Sequence, residues 1–333
     1  MPTIVLLGIL ALTPLRLFGA GMAYTSNIPP SSFPARLKQY AAEQPLEKGY
    51  IDVTKPPYSA AGNGASDDSE AIQNAVDDAY ANNLLVFFPA DATYLVSRKI
   101  ACIGKKKGDR KFAHQLIGAS EGSAPIIKLA DGSRVDGNVL FNFDLLDEKS
   151  GTSASASLYC TALRRIQIDM GDNPAQNAVT MSGAQHCLIE DVSIYGNFNV
   201  GISNMPGSGG SMVNITITGG KIGILQDEYR PDPVIVGLKL ANQSDCGIKI
   251  LNSRGPVVMA GFSIVSPENP SPGHRAIHAE STAPKTVGSN LDHGNGNLLL
   301  ADGTIEVKAN GGLSVYNYAQ DVTMTNVYVK AAW

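Results

Sequence analysis

Two groups of residues in this chain have the types and spacing that chemistry needs. Asp227-Glu228-Tyr229-Arg230 gathers two carboxylates, a phenol and a guanidinium on one short stretch. Two carboxyl groups flanking a sugar bond, about 5–9.5 Å apart, are the usual apparatus of glycoside hydrolysis. Asp227 and Glu228 are therefore candidate catalytic residues, with Tyr229 and Arg230 as candidate substrate contacts. The other acid pairs read more simply. Asp169 and Asp172 flank a turn, where Asp serves backbone geometry, and Glu190-Asp191 are consecutive in a strand pattern. The second group, His274-Arg275 with His278-x-Glu280, suits a different reaction. A His, Tyr or Lys base removes the proton α to a uronate carboxylate while an Arg neutralises that carboxylate, and a lyase results. His274, Arg275 and His278 are the substrate-binding candidates of that reading. No pair of histidines, and none of Cys102, Cys160, Cys187 and Cys246, has metal-ligand spacing, so neither metal nor cofactor is expected.

Such groups need a frame, and the stretch from Cys160 to Ser266 supplies one. Short alternating segments recur, ending on Ile168, Ile194, Ile217, Leu240 and Ile264 at steps of 26, 23, 23 and 24 residues. A second series, out of phase, runs through Ile202, Ile224, Ile250 and Ile277. Two interleaved strand series of one period predict a coil of strands with each turn stacked on the last. β-branched residues at alternate positions, with Gly, Asn, Ser and Asp between them, fit an all-β parallel β-helix. A sandwich would show hairpins every 8–12 residues or so and no longer period. Equivalent residues of successive turns lie about 4.8 Å apart, so residues distant in sequence can share one site.

The remainder of the chain follows from this frame. Residues 3–12 form an apolar run of signal-peptide length, with small residues ahead of a cut before Tyr24, so 1–23 reads as a signal peptide and the protein as secreted. Residues 24–49 read as an irregular arm, and 50–333 as the β-helix. Asp67 with Glu70 suggests a capping box for a helix carrying Ile72, Ala75, Val76 and Ala79 on one face, stopped by Asn82-Asn83. That helix would cover the open end of the coil. After 266 comes a Pro-, Ser- and Gly-rich insertion to 297, and the chain stops at Trp333 after a strand pattern with no cap. A partner, or a continuation of the coil, is expected there. A net charge of −4 argues against nucleic acid as a partner, and no membrane contact is expected once the leader is cut.

The stretch 50–97 carries a resemblance. Ile51-Asp52-Val53, Gly62-Asn63-Gly64, Asp67-Asp68-Ser69, Ala71-Ile72-Gln73-Asn74-Ala75-Val76 and Phe88-Pro89 through Tyr94 resemble the opening of the pectate-lyase-like right-handed β-helix superfamily, in its rhamnogalacturonase/epimerase-like branch. The resemblance implies a right-handed coil with an N-terminal capping helix. It leaves the reaction open, since the superfamily includes hydrolases, lyases, epimerases and tailspikes. The motifs of polygalacturonases and of calcium-dependent pectate lyases are missing. A looser resemblance is to glycoside hydrolase family 55, built from two coils side by side, in which a Gln and a Ser on neighbouring turns hold the attacking water. It implies Gln185 and Ser208 as catalytic, with a stacked polar ladder as the alternative. The expected protein acts on a polysaccharide, as a glycoside hydrolase on a β-1,3-glucan-like extracellular polymer. The alternatives are a lyase on a uronate polymer and a non-catalytic, tailspike- or adhesin-like glycan-binding fibre, with an oligomer or a second β-helix as partner.

Overall fold

Ile168, Ile194, Ile217, Leu240 and Ile264 stand in one column. Each is the parallel register partner of the next, Ile305 continues the series, and none is more than 1% exposed. The computed structural model in which they do so describes residues 34–44, 48–106, 113–147, 150–151, 153, 157–181, 183–207, 209–227, 233–251, 256–280, 297–308, 313–317 and 321–331. Its named strands all pair in parallel. The chain is a parallel β-helix with helical cover at its N-terminal end.

The coil has three faces. The first begins with Tyr50–Asp52, Leu85–Phe88, Gln115–Gly118 and Ala162–Arg164, each pairing with the next. The second begins with Asn63–Asp67, Thr93–Val96 and Ile126–Leu129. The long strands Ser211–Gly219, Val234–Ala241, Val257–Val265, Leu298–Val307 and Val322–Ala331 run across both of these faces. The corner between them is a left-handed residue, Asp191, Asn214, Gly237, Gly261, Asp302 and Asn326 in successive turns, all at positive φ. Asn and Asp tolerate that conformation better than other side chains. They also bond along the corner, Asn214 Nδ2 donating to Asp191 Oδ1 at 3.0 Å and Asn326 Nδ2 to Asp302 Oδ1 at 2.7 Å. The third face holds Ile222–Gln226, Cys246–Ile250, Arg275–Ala279 and Leu313–Asn317, preceded by the ends of Gln167–Met181 and Leu188–Ser203.

The second column needs one correction. Ile202 pairs with Ile224, Ile224 with Ile248 and Ile248 with Ile277, so Ile248 takes the place expected for Ile250. Ile250 pairs with Gln226 and Ala279 instead. Both isoleucines are buried, at 2% and 0% exposed, and alternation alone gives them the same inward direction.

Helix α1 (Ala35–Glu43) corrects the irregular arm expected over 24–49. Only two apolar side chains hold it, Leu37 and Tyr40, both buried, which is too few for a periodic signal. Tyr40 Oη accepts the Asp52 N–H at 2.9 Å, and Arg36 makes a two-pronged contact with Asp78 at 3.1 and 3.2 Å. Helix α2 (Ser69–Asn82) buries Ile72, Ala75, Val76 and Ala79 as expected and stops at Asn83, which is left-handed. Its start differs. The N-cap is Asp68, and its carboxylate accepts the N–H groups of Ala61 and Gly62 at 2.6 and 3.0 Å, tying the preceding loop to the helix. Asp67 accepts the Ser69 N–H at 2.9 Å, while Glu70 lies 3.9 Å from Arg98.

His114 lies under this end, its ring stacked on Tyr80 with centroids 4.3 Å apart and its Nδ1 buried without a partner. Burial lowers its pKa to about 3. An unfolded histidine takes up its proton below about pH 6.5, whereas the folded one stays neutral until about 3, so stability falls as pH drops through that window. The expected slope is at most about 1.4 kcal/mol per pH unit. Urea midpoints between pH 7.5 and 4.5 should therefore fall more steeply for the wild type than for His114→Phe, which keeps the stacked ring. Equal slopes would exclude His114 as the cause.

Cys102, Cys160, Cys187 and Cys246 are all free, Cys160 exposed and the others buried. Among the described residues no helix is long and apolar enough to cross a membrane, and no cluster of three metal-ligating side chains occurs. The leader 1–23, residues 107–112, half of the 266–297 insertion (281–296) and Trp333 lie outside the described residues.

Candidate active site

The carboxylates read as turn or strand residues have structural partners. Asp169 Oδ1 accepts the Gly171 N–H at 2.9 Å, Asp172 accepts from Asn197 Nδ2, and Glu190 accepts Arg164 Nε at 2.6 Å. Gln185 is exposed in a turn, and its carbonyl accepts the Cys160 N–H at 3.1 Å. Its expected neighbour Ser208 lies outside the described residues, as do Glu228, Tyr229 and Arg230. Asp227 is exposed at the end of Ile222–Gln226, its N–H donating to Asn204 Oδ1 at 3.0 Å. His186, next to Gln185 in the same turn, is exposed at positive φ.

The histidine cluster is where groups converge. Its residues fall within the Pro-, Ser- and Gly-rich insertion read over 266–297, but Arg275 and His278 lie in the strand Arg275–Ala279 on the third face, and His274 just before it is 1% exposed. A regular strand would point Arg275 and His278 to opposite sides. A bend prevents that, since Ala276 and Ile277 are both 0% exposed and the register passes over Ala276. Arg275 and His278 therefore both turn away from the interior of the coil, Arg275 half-buried and His278 8% exposed beneath its neighbours. The bend repeats through the coil at Gly201, Gly223 and Gly247, where small residues are required. A Cβ on Gly223 would stand 2.6 Å from the Gly247 carbonyl oxygen, and one on Gly247 2.5 Å from that of Ala276.

Four groups meet on this surface. His278 Nε2 lies 2.9 Å from Glu280 Oε2, and Arg275 Nη1 lies 3.4 Å from His278 Nδ1. A guanidinium only donates, so Nδ1 is the acceptor, and the ring proton sits on Nε2 and is donated to Glu280. Tyr316, one turn on and the register partner of His278, meets the imidazole edge-on at 4.9 Å and carries the Arg275 guanidinium over its ring at 4.3 Å. Lys249 is the register partner of His278 one turn back. Lys249 and Tyr316 escaped the sequence reading because they come from other turns; only a correct register places them beside His278. Cys246, the partner of Arg275, belongs to a small outer cluster with Val200 and Ile222. Burial pushes its thiol up to about 12, so it does not offer a thiolate nucleophile.

Beside this cluster a groove of about 500 Å³ follows the corner between the second and third faces, lined by Asn197, Phe198, Lys221, Ser244, Asp245 and Ser271 among others. It adjoins the cluster directly, since Arg275 N–H donates to the Asp245 carbonyl at 3.1 Å. His274 packs there too. Its burial lowers its pKa, opposed by the neighbouring Asp245, and its Nδ1 is buried without a partner.

A coil of this shape with such a surface defines a class, and the sequence match agrees. Residues 51–273 match the rhamnogalacturonase A/epimerase, pectate lyase-like family, and the chain belongs to that carbohydrate-active β-helix family. A curated relative, the non-secreted LysM effector LysM19 of Penicillium expansum, is 27% identical over 208 residues. That match takes in 57% of this chain and 16% of the relative, so the chain spans about a sixth of that protein's length. Among solved structures, the surface adhesin PfbA of Streptococcus pneumoniae aligns at a TM-score of 0.49 and 14% identity, over 84% of this chain and 78% of that one. The A-module of the Azotobacter vinelandii mannuronan C-5 epimerase AlgE6 aligns at 0.38 and 16%, over 85% and 99%.

Proposed function

We propose that the outer surface of the third face acts on an extracellular acidic polysaccharide by acid–base chemistry at a carbon α to a carboxylate. The observation that carries this is the Glu280–His278–Arg275 chain seated on Tyr316. Arg275 binds the uronate carboxylate, and a planar guanidinium suits that group in two-pronged fashion. His278, with Glu280 on its other nitrogen, takes the C5 proton. The electron pair left on carbon moves into the carboxylate, where Arg275 stabilises the developing charge. The pair then either returns to carbon with a proton on the opposite side, giving epimerisation, or expels the neighbouring glycosidic oxygen, giving elimination. Lys249 and Tyr316, at matching positions about 4.8 Å either side of His278, are the proton donors within one turn. The corner groove runs alongside and would take the neighbouring sugars.

A hydrolase reading keeps one observation in its favour. Asp227 and Glu280 each follow the last residue of equivalent strands, since Gln226 pairs with Ile250 and Ile250 with Ala279. Two turns place them roughly 9–10 Å apart, near the carboxylate spacing of an inverting glycosidase. Glu280 is already engaged by His278, which favours the first reading.

The two separate on incubation with polygalacturonate, alginate and laminarin. Absorbance near about 235 nm, or deuterium entering C5 from heavy water, means proton abstraction. Reducing ends alone, abolished by Asp227→Asn, mean hydrolysis and overturn the first reading.

A further inference from the structure

The resting arrangement of the cluster has a consequence for substrate choice, which rests on the acid–base reading above. The one lone pair of the His278 imidazole is on Nδ1, and Arg275 Nη1 is already pointed at it from 3.4 Å. The base is therefore covered before any sugar arrives. Arg275 is held there by weak partners only. Its guanidinium lies over the Tyr316 ring, its Nε is buried with no acceptor, and among the described residues no carboxylate pairs with it. A charged donor so placed moves readily to a better acceptor, because a hydrogen bond to a charged acceptor is about twice as strong as one to a neutral one. The charged and titratable groups around His278 are Arg275 on its own strand, Glu280 just past the end of that strand, Lys249 and Cys246 on the strand before, and Tyr316 on the strand after. Of these only Glu280 is an anion, and it occupies the opposite nitrogen.

We propose that Arg275 caps the His278 base in the resting protein and that only a ligand with an anionic group, such as an acidic sugar, uncovers Nδ1 by drawing the guanidinium onto itself. Selection for acidic over neutral glycans then lies in the release of the base as well as in binding. A neutral chain can enter the groove and still meet a covered nitrogen. Glu280 is a positioning residue in this scheme, since it holds the proton on Nε2 and so keeps the lone pair on the side Arg275 covers.

The test uses the full chain labelled with ¹⁵N-histidine, His278→Gln assigning the signal. Two-dimensional ¹H–¹⁵N spectra at neutral pH distinguish a bare ring nitrogen from a protonated one. The expected resting state has Nε2 protonated and Nδ1 bare. Addition of D-galacturonate or of inorganic sulfate should shift the Nδ1 resonance, D-galactose should not, and Arg275→Ala should start at the shifted position and respond to neither anion. A proton on Nδ1 at rest, an equal response to galactose, or an Arg275→Ala spectrum identical to wild type would overturn the proposal. If sulfate shifts the signal and galacturonate does not, the cap stands and the uronate reading falls. If neither anion shifts it, the cap itself is wrong, whatever polymer the protein acts on.

Discussion

Replacing Arg275 with Ala is expected to lower kcat/KM on an acidic polysaccharide by about 10²–10³, the loss usual when one donor to a developing oxyanion is removed. The loss should appear mainly in kcat, because the charge Arg275 faces grows as the C5 proton leaves. Arg275→Lys should recover little. An ammonium keeps the charge but not the planar fork, and it has no flat face to lie on the Tyr316 ring. Thermal stability should hardly move, since the guanidinium has no carboxylate partner among the described residues and its Nη1 contact with His278 is long. A variant that lost stability and activity together would mark Arg275 as a packing residue. One that kept near-normal turnover would exclude the third-face cluster as the centre of reaction.

The sequence and the structure agree where a physical pattern repeats and part company where it does not. Ile168 through Ile264 could be read in advance because each turn must fill the same interior volume, so the same residue type returns at the same step. Ile250 was misplaced because alternation fixes the inward direction of a residue and leaves its turn-to-turn partner open by two. Asp67 and Asp68 are both good capping residues by type. The choice was made by the Ala61 and Gly62 N–H groups, which lie outside any local pattern. Helix α1 left little trace because two buried side chains on a Pro-preceded segment are no periodicity. In the cluster, Arg275, His278 and Glu280 were visible as neighbours in sequence, though strand parity argues against Arg275 and His278 sharing a side. The bend at Ala276 overrides parity, and its signature is the small residues Gly201, Gly223 and Gly247 at the same place in earlier turns. Tyr316 and Lys249 needed the register of the third face, which the misassigned Ile250 would have shifted.

The same column makes the largest stability prediction. Ile217 is 0% exposed, paired with Ile194 before it and Leu240 after it. Truncation to Ala removes buried methylene groups and leaves a cavity, at a cost of about 2–5 kcal/mol. Ile217→Asp costs more, because a carboxylate is placed in an interior whose local neighbours, Ile194, Leu240 and Ile264, offer no side-chain partner. Thr218, next in the same strand and exposed, is the control, and Thr218→Asp should stay within about 0.5 kcal/mol of wild type. In a stacked coil each turn is stabilised chiefly by its two neighbours, so the loss should spread along the axis. Amide exchange should quicken together in Leu188–Ser203, Ser211–Gly219 and Val234–Ala241, and least at the end closed by α2 and Asp68. Since Arg275 and His278 are two to three turns further along, their spectra and any turnover should fail with the Asp variant and survive Thr218→Asp. Equal exchange in the two variants would mean that the Ile194–Ile217–Leu240 column does not hold the turns together. The placement of every site residue by register would then fall with it.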